Sequence, residues 1–483
     1  MTTKTIRSGN GKTATKAKTA TKTTKAKAAA KAGTATKART GSAKAPVKAA
    51  RAVPIRSLDP TKGIQSVQDL ADHLHVAAQV ELSTIPLYLY ATYSIKTRGH
   101  SQWAAPRGVL RSLIGISIEE MLHLSLVRNL MVAIGYGDQI SFYDKEFIPA
   151  YPSLMMHRYN PKDKDGEEIL LSLDKLSTEQ VSTFRRIEMP DDVKPDAVTF
   201  AVHPEAVGQY TSLGAFYRSI EQGFIDLDGK GEIQWAGYDD VRKQYKRAFW
   251  NEFGNGKPIR VFNLETARQA LNIIIEQGEG TLKDHEHIKV KRGIEDFTHY
   301  EKFLRIERGE EGIGAVDGDQ HEISIDDPEA TWPVVSDPSV DDFDDQPGVH
   351  SLMTLFNAAY CYTLCLLDEL YQHSTDDVVT KKYPGTDREE NFSRRYGLER
   401  NGVAIMQGVL YPIAEALVST RIPAGAWKGM HAAPSFEFYD FSKLKNHSKK
   451  QQLIDLCDTA IHHFPSLGGP DGIQRQIGLL ADV

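Results

Sequence analysis

The strongest constraint in this chain is a Glu and a His three residues apart within a long apolar helical pattern, Ile118-Glu-Glu-Met-Leu-His-Leu124. Three residues is nearly one α-helical turn, so Glu120 and His123 project from the same face. Leu113, Ile116, Val127, Leu130 and Ile134 continue the stripe and turn that face inward. A charged carboxylate on a buried face is costly unless it is paired or holds a cation. Glu-x-x-His pointing into a helical bundle is one half of a site for two iron or manganese ions. Such a site takes a Glu from each of two helices and a Glu-x-x-His pair from each of the other two. Glu119 lies about 100° further round the helix and is expected outside the ligand set.

The other half is sought in three more helical patterns. The first runs from about Val67 to Ser94, with Ser66 as N-cap and Asp69 in the first turn. Its stripe of Leu74, Ala78, Ile85 and Leu89 carries Glu81 as the polar exception. Pro86 removes the hydrogen bond to the Leu82 carbonyl, so a kink is expected beside Glu81. The Glu120 helix runs from about Pro106 to Ile134, with Gly135 as the stop. A third helix begins near Thr211, and Glu221, beside Ile220, is expected to supply its carboxylate. A fourth begins near Leu264 and reaches Glu276, where Gly278 and Gly280 break it. Three residues after Glu276 stands Glu279, not His. Two arrangements stay open. In one, the helix is interrupted and His299 returns to the position one turn beyond Glu276, with the loop between them extruded. In the other, Glu279 is the ligand and His299 is structural. The expected metal ligands are Glu81, Glu120, His123, Glu221, Glu276 and His299. His73, His75, His373, His462 and His463 lack matching acids and are expected to be surface or structural residues.

The fold class expected from these patterns is all-α, a four-helix bundle with a long irregular insertion and extra C-terminal helices. The bundle is assigned to residues 60–305, with the insertion at 141–209, where Pro and Asp are frequent and Ile169 to Leu173 suggests a short strand. Residues 306–349 read as an acidic loop, with thirteen acids and no Lys or Arg between Glu310 and Asp345, and Trp332 to Val335 packing locally. Residues 350–483 read as a helical extension on the bundle, with helices near Ser351–His373, Gly397–Ser419 and Gln451–His463. Cys361, Cys365 and Cys457 are the only cysteines, which argues against a disulfide framework. No membrane-spanning run and no secretory h-region are read from the chain, and a cytoplasmic location is expected.

Charge divides the chain. Of its 58 Lys and Arg, 14 lie in residues 1–51, where there is no Asp or Glu; the remaining 44 face all 64 acids. Residues 1 to about 55 repeat Lys, Ala and Thr with almost no large apolar side chain, and nothing there offsets the entropy of ordering. A disordered basic tail is expected, either a non-specific contact for nucleic acid and other polyanions or a solubilising extension. Deleting residues 1–51 is expected to abolish salt-sensitive binding to DNA or RNA and leave metal content unchanged. Absence of polyanion affinity in the full chain at low salt would exclude the first role.

Several of these segments resemble a known family. Glu81-Leu-Ser-Thr-Ile-Pro-Leu-Tyr-Leu-Tyr-Ala91, Glu119-Glu-Met-Leu-His-Leu-Ser-Leu-Val127, Ile187-Glu188, Phe216-Tyr-Arg-Ser-Ile-Glu221, Glu276-Gln-Gly-Glu-Gly280, His299-Tyr300, Leu355-Phe-Asn357 and Ala433-Pro-Ser-Phe-Glu437 are similar to the ferritin-like domain family named after iminophenyl-pyruvate dimer synthase. The resemblance covers roughly residues 60 to 440. It implies a ferritin-like bundle with a metal site. The namesake enzymes are longer proteins associated with haem chemistry that oxidatively couple two imines derived from an aromatic amino acid. The motifs are specific for the family and not for the substrate.

The function expected is that of a non-haem di-iron or di-manganese oxidoreductase, acting with O2 on a small, amino-acid-derived molecule. Two other readings stay open: a non-catalytic iron-binding or stress protein, and a metal-free enzyme that couples imines.

Overall fold

The computed structural model describes residues 53–54, 58–96, 108–159, 167–190, 210–246, 256–278, 297–313, 323–374, 378–382, 384–387 and 389–483. Four helices form its centre. Helix α1 (Val67–Tyr93) starts where the Ser66 hydroxyl accepts from the Asp69 amide, 3.1 Å away. Pro86 lies inside α1. Helix α2 (Val109–Ala133) is followed by Gly135 at φ +80°, a left-handed stop that glycine adopts without strain.

Between these helices and the next lies the stretch expected to be irregular. It contains strand β2 (Ser153–Tyr159), which pairs in parallel with β1 (Val53–Pro54) and antiparallel with β3 (Glu167–Leu171). It also contains a helix that the sequence reading missed, α3 (Thr178–Ile187). The Ser177 hydroxyl caps it at the Gln180 amide, and Val181, Phe184 and Ile187 form its buried face. Helix α4 (Leu213–Gly229) begins at the Ser212 cap, and a one-turn helix α5 (Tyr238–Val241) follows it. Helix α6 (Leu264–Gly278) and α7 (His299–Glu307) complete this half, the latter opened by a capping box between Thr298 and Glu301.

Helices α1, α2, α6 and α4 pack in a closed ring, each against the next, while α3 and α7 pack on each other and α7 also touches α2 and α6. This ring fixes four apolar faces around one interior. Leu74, Val80, Leu113, Ile116, Phe216, Ile220, Ala267 and Leu271 are among its buried residues.

The C-terminal part contains α8 (Pro347–Gln372), the β4 (Val378–Lys382) and β5 (Glu389–Ser393) hairpin, α9 (Arg394–Ile405), α10 (Tyr411–Ser419), α11 (Lys449–His463) and α12 (Ile473–Leu479). A π-helical segment, Met406–Leu410, joins α9 and α10 into one helix. By length and composition alone that joined helix, Arg394–Ser419, would suffice to cross a membrane, contrary to the sequence expectation. Its buried residues, among them Ile405, Val409 and Leu417, pack where α9 and α10 meet α8. Helix α8 is anchored to the bundle side by Asp368, which accepts from the Ser141 hydroxyl and the Phe142 and Tyr143 amides at 2.8–2.9 Å. The three cysteines are free and buried in α8 and α11, with burial pushing each thiol up to about 12. Residues 1–51 and Glu279, to which the tail and the alternative-ligand readings refer, lie outside the described residues.

Candidate metal centre

Helix α1 presents Glu81, Thr84 and Tyr88 on one stripe, at spacings of three and four residues. Helix α2 faces it with Glu120 and His123. Glu188 enters from the C-terminal cap of α3, and His299 from the first turn of α7. All five acids and imidazoles are buried, each 3 % exposed or less. Their ligating atoms fall into two triads, Glu81–Glu120–His123 and Glu120–Glu188–His299, each with its atoms within 4.8 Å of one another. Glu120 belongs to both.

Each carboxylate is held by a hydroxyl. Tyr217 donates to Glu81 Oε1, Tyr88 donates to Glu188 Oε1, and Thr84 donates to Glu120 Oε2 at 2.8 Å. Both imidazoles turn the same nitrogen inward. His123 Nδ1 is 3.4 Å from Glu81 Oε2, while its Nε2 is hydrogen-bonded to the Gln277 amide, 3.0 Å from Oε1. His299 Nδ1 is 2.8 Å from Glu120 Oε1 and 3.7 Å from Glu188 Oε2, while its Nε2 donates to Glu119 Oε2 at 3.0 Å. Behind it, the buried Lys302 ammonium donates to the same Glu119 oxygen at 2.6 Å.

Three of the expected ligands, Glu81, Glu120 and His123, converge in one triad, and His299 stands in the other. Two do not arrive. Glu221 was expected as the third helix's carboxylate, but it ion-pairs with Arg268 Nε at 2.7 Å at the edge of α4 and α6. Tyr217, Ile220 and Phe224 take the inward face of α4, and Glu221, about 40° from Tyr217 on the side away from Ile220, falls at the edge of that face. Glu276 is half-buried and belongs to neither triad, because Ile274, Gln277 and Gly278 take the inward face of α6. His299 therefore does not pair with Glu276 as expected. It returns beside Gly278, where an added Cβ would lie 4.0 Å from its Nδ1.

Glu188 was not among the expected ligands. The available signal was the Ser177-x-x-Gln180 start followed by Val181, Phe184 and Ile187, which marks a short amphipathic helix ending at Glu188. Glu119 was expected outside the ligand set, and the structure gives it a place behind His299.

The residues suit a pair of cations. His299 Nδ1 is buried and lacks an aligned hydrogen bond despite the nearby Glu120 oxygen, as a nitrogen lone pair aimed at an ion would be. Gly278 leaves the space between Glu188, His123 and His299 free of a side chain. The adjoining cavity, lined by Glu81, Glu120, His123, Glu188, Tyr217 and Gly278 among others, has a volume of about 10 Å³, room for one small group. Oxygen and imidazole donors without thiolate fit iron or manganese.

Without a cation the cluster strains toward its neutral forms. Burial pushes Glu81 up to about 7. Burial and the Glu81 charge raise Glu120, and burial and the Glu120 charge raise Glu188. Burial lowers His123. Burial would also lower His299, but its contacts with Glu119, Glu120 and Glu188 outweigh burial and raise it. A carboxyl raised on folding contributes stability that is present below its unfolded value and is lost as pH rises through the folded value. The raised imidazole acts in the same direction; the lowered His123 acts oppositely, but only below its unfolded value near 6.5. The metal-free protein is therefore expected to melt at lower temperature at pH 8 than at pH 6, and loading with Fe²⁺ or Mn²⁺ is expected to remove that loss. Thermal melts with and without chelator measure it; equal metal-free melting at both pH values would contradict the expectation.

A family profile described as Ferritin-like matches residues 74–308. This range holds both triads. The chain contains a ferritin-like domain. Among curated proteins, it is similar to a dichlorochromopyrrolate synthase from Lentzea aerocolonigenes, with 26% identity covering 87% of this chain and 41% of the relative. It is also similar to a 2-imino-3-(indol-3-yl)propanoate dimerase from Chromobacterium violaceum, with 26% identity covering 46% of this chain and 22% of the relative. The chain thus spans about two fifths of the length of the first and about a fifth of the second. A solved ferritin-like protein from Caulobacter vibrioides matches 64% of this chain and 88% of its own, with 22% identity and a TM-score of 0.39.

Proposed function

We propose that this protein is a metal-dependent oxidoreductase that takes electrons from a small amino-acid-derived imine and passes them to O2. The observation that carries this reading is the pair of buried triads sharing Glu120. Bound there, two iron or manganese ions would supply the redox chemistry. Glu81 and Glu188 would each hold one ion, His123 and His299 would each add a nitrogen, and Glu120 would serve both. Tyr217, Thr84 and Tyr88 keep the carboxylates oriented by donating to the oxygens that would otherwise swing free. The apolar walls, with Val80, Leu213 and Ile274 around the cavity, exclude bulk water from the ions.

The substrate class follows from the names of the two relatives, one of which acts on an imine with an indole side chain. Joining two such imines, each as its enamine tautomer, forms one carbon–carbon bond with loss of two electrons and two protons. One O2 accepts these and becomes H2O2.

The test is oxygen uptake by metal-loaded protein supplied with a chemically generated aromatic imine. Imine-dependent uptake that stops on chelation and resumes with iron or manganese is expected. Metal binding without uptake would favour a storage or stress role, and coupling by metal-free protein would favour metal-independent imine chemistry.

A further inference from the structure

The two imidazoles face the cluster in the same way but are backed differently. His299 Nε2 meets Glu119, a carboxylate ion-paired to Lys302. Such a carboxylate has only lone pairs to offer, so His299 carries a proton on Nε2, which leaves Nδ1 as the nitrogen that can turn to an ion. His123 Nε2 meets Gln277, an amide. An amide accepts through oxygen or, turned over, donates through nitrogen, so it permits either His123 tautomer. One tautomer leaves Nδ1 free for an ion and the other blocks it with a proton. The remaining donors are balanced, since each triad has one carboxylate held by a tyrosine hydroxyl and shares Glu120.

We infer that the two metal positions are unequal: the Glu120–Glu188–His299 position is preorganised by Glu119 and Lys302 and fills first, and the Glu81–Glu120–His123 position, backed by Gln277, fills second and more weakly. Glu119 and Gln277 are positioning residues, because they act on the ion through the imidazoles. This rests on the reading of the cluster as a two-ion centre.

The experiment is an anaerobic titration of metal-free full-length protein with Co²⁺, followed by calorimetry and by the visible absorption of the bound ion. Two sequential classes separated by at least about tenfold in affinity are expected. His299→Ala should remove the tight class. His123→Ala should keep it and lose the weak one. Glu119→Gln should loosen the tight class about 10- to 100-fold, the usual effect of removing the hydrogen-bond partner of a metal-ligating imidazole. Gln277→Glu gives His123 an acceptor-only partner and should tighten the weak class. That gain of affinity would not follow from a merely structural role, and it tests the inference even if Glu119→Gln fails to fold.

A single class of two equal ions, retention of the tight class in His299→Ala, or an unchanged weak class in Gln277→Glu would overturn the ordering while leaving the two-ion centre standing. No bound Co²⁺ in the parent protein would overturn both.

Discussion

Glu188→Ala is expected to lower iron content from about two to about one ion per chain, the number such bundles hold being two. Substrate-dependent oxygen uptake should fall on the order of 100-fold or more, since the loss of even an outer partner of a ligand costs 10- to 100-fold. Glu188 supplies one of the three groups in the second triad, and no other described acid stands near enough to replace it. Its removal should not unfold the protein. Glu188 caps the end of α3 and does not form part of that helix's apolar face. In the metal-free state it is pushed toward neutrality by burial and by Glu120, so deleting it also relieves repulsion. Metal-free Glu188→Ala should therefore stay folded, losing at most the roughly 1–3 kcal/mol of leaving the buried Tyr88 hydroxyl without its acceptor. Elemental analysis and melting temperature together check this. Unchanged iron content would exclude Glu188 as a ligand, and a collapse of the metal-free fold would assign it a structural role.

Lys302→Ala should be the most destabilising single change near the centre. The ammonium and Glu119 are both nearly inaccessible, with side chains 4 % and 3 % exposed, and lie 2.6 Å apart. Burial would raise Glu119, but Lys302 and His299 outweigh it and hold the carboxyl down at about 2. Removing the ammonium takes the Lys302 charge away from a buried carboxylate, a change that costs roughly 3–5 kcal/mol in comparable buried pairs. Urea denaturation measures the loss. The double variant Lys302→Met with Glu119→Gln should recover much of it, because the uncompensated charge is gone. A loss below about 1 kcal/mol in Lys302→Ala, as exposed pairs show, would mean that the pair is not buried in solution.

Much of the bundle is legible from local chemistry. Ser66 with Asp69 and Gly135 mark helix ends that the structure places within a residue or two. Glu81 and the Glu120–His123 pair stand out because an apolar stripe makes a carboxylate within it conspicuous. Legibility fails where two neighbouring residues compete for one face. Periodicity near Ile220 does not say whether Tyr217 or Glu221 reaches the interior, and packing of α4 against α1 and α6 selects Tyr217. The same holds on α6, where a rotation of one or two residues exchanges Glu276 for Gln277 and Gly278. Glu188 was hidden for a different reason. Its helix is only ten residues long and lies in a stretch broken by Pro and Asp, so the helical period has few turns in which to show itself. The position of His299 depends on a chain return after Gly278 that no local pattern encodes; only its chemistry as an imidazole beside a broken Glu-x-x-His motif pointed to it.

The two-ion centre is tested most directly by anomalous diffraction from crystals of the full chain loaded anaerobically with iron. Two anomalous peaks are expected, one bounded by Glu81, Glu120 and His123 and the other by Glu120, Glu188 and His299. Iron bound elsewhere, or no peak among these residues at full loading, would contradict it.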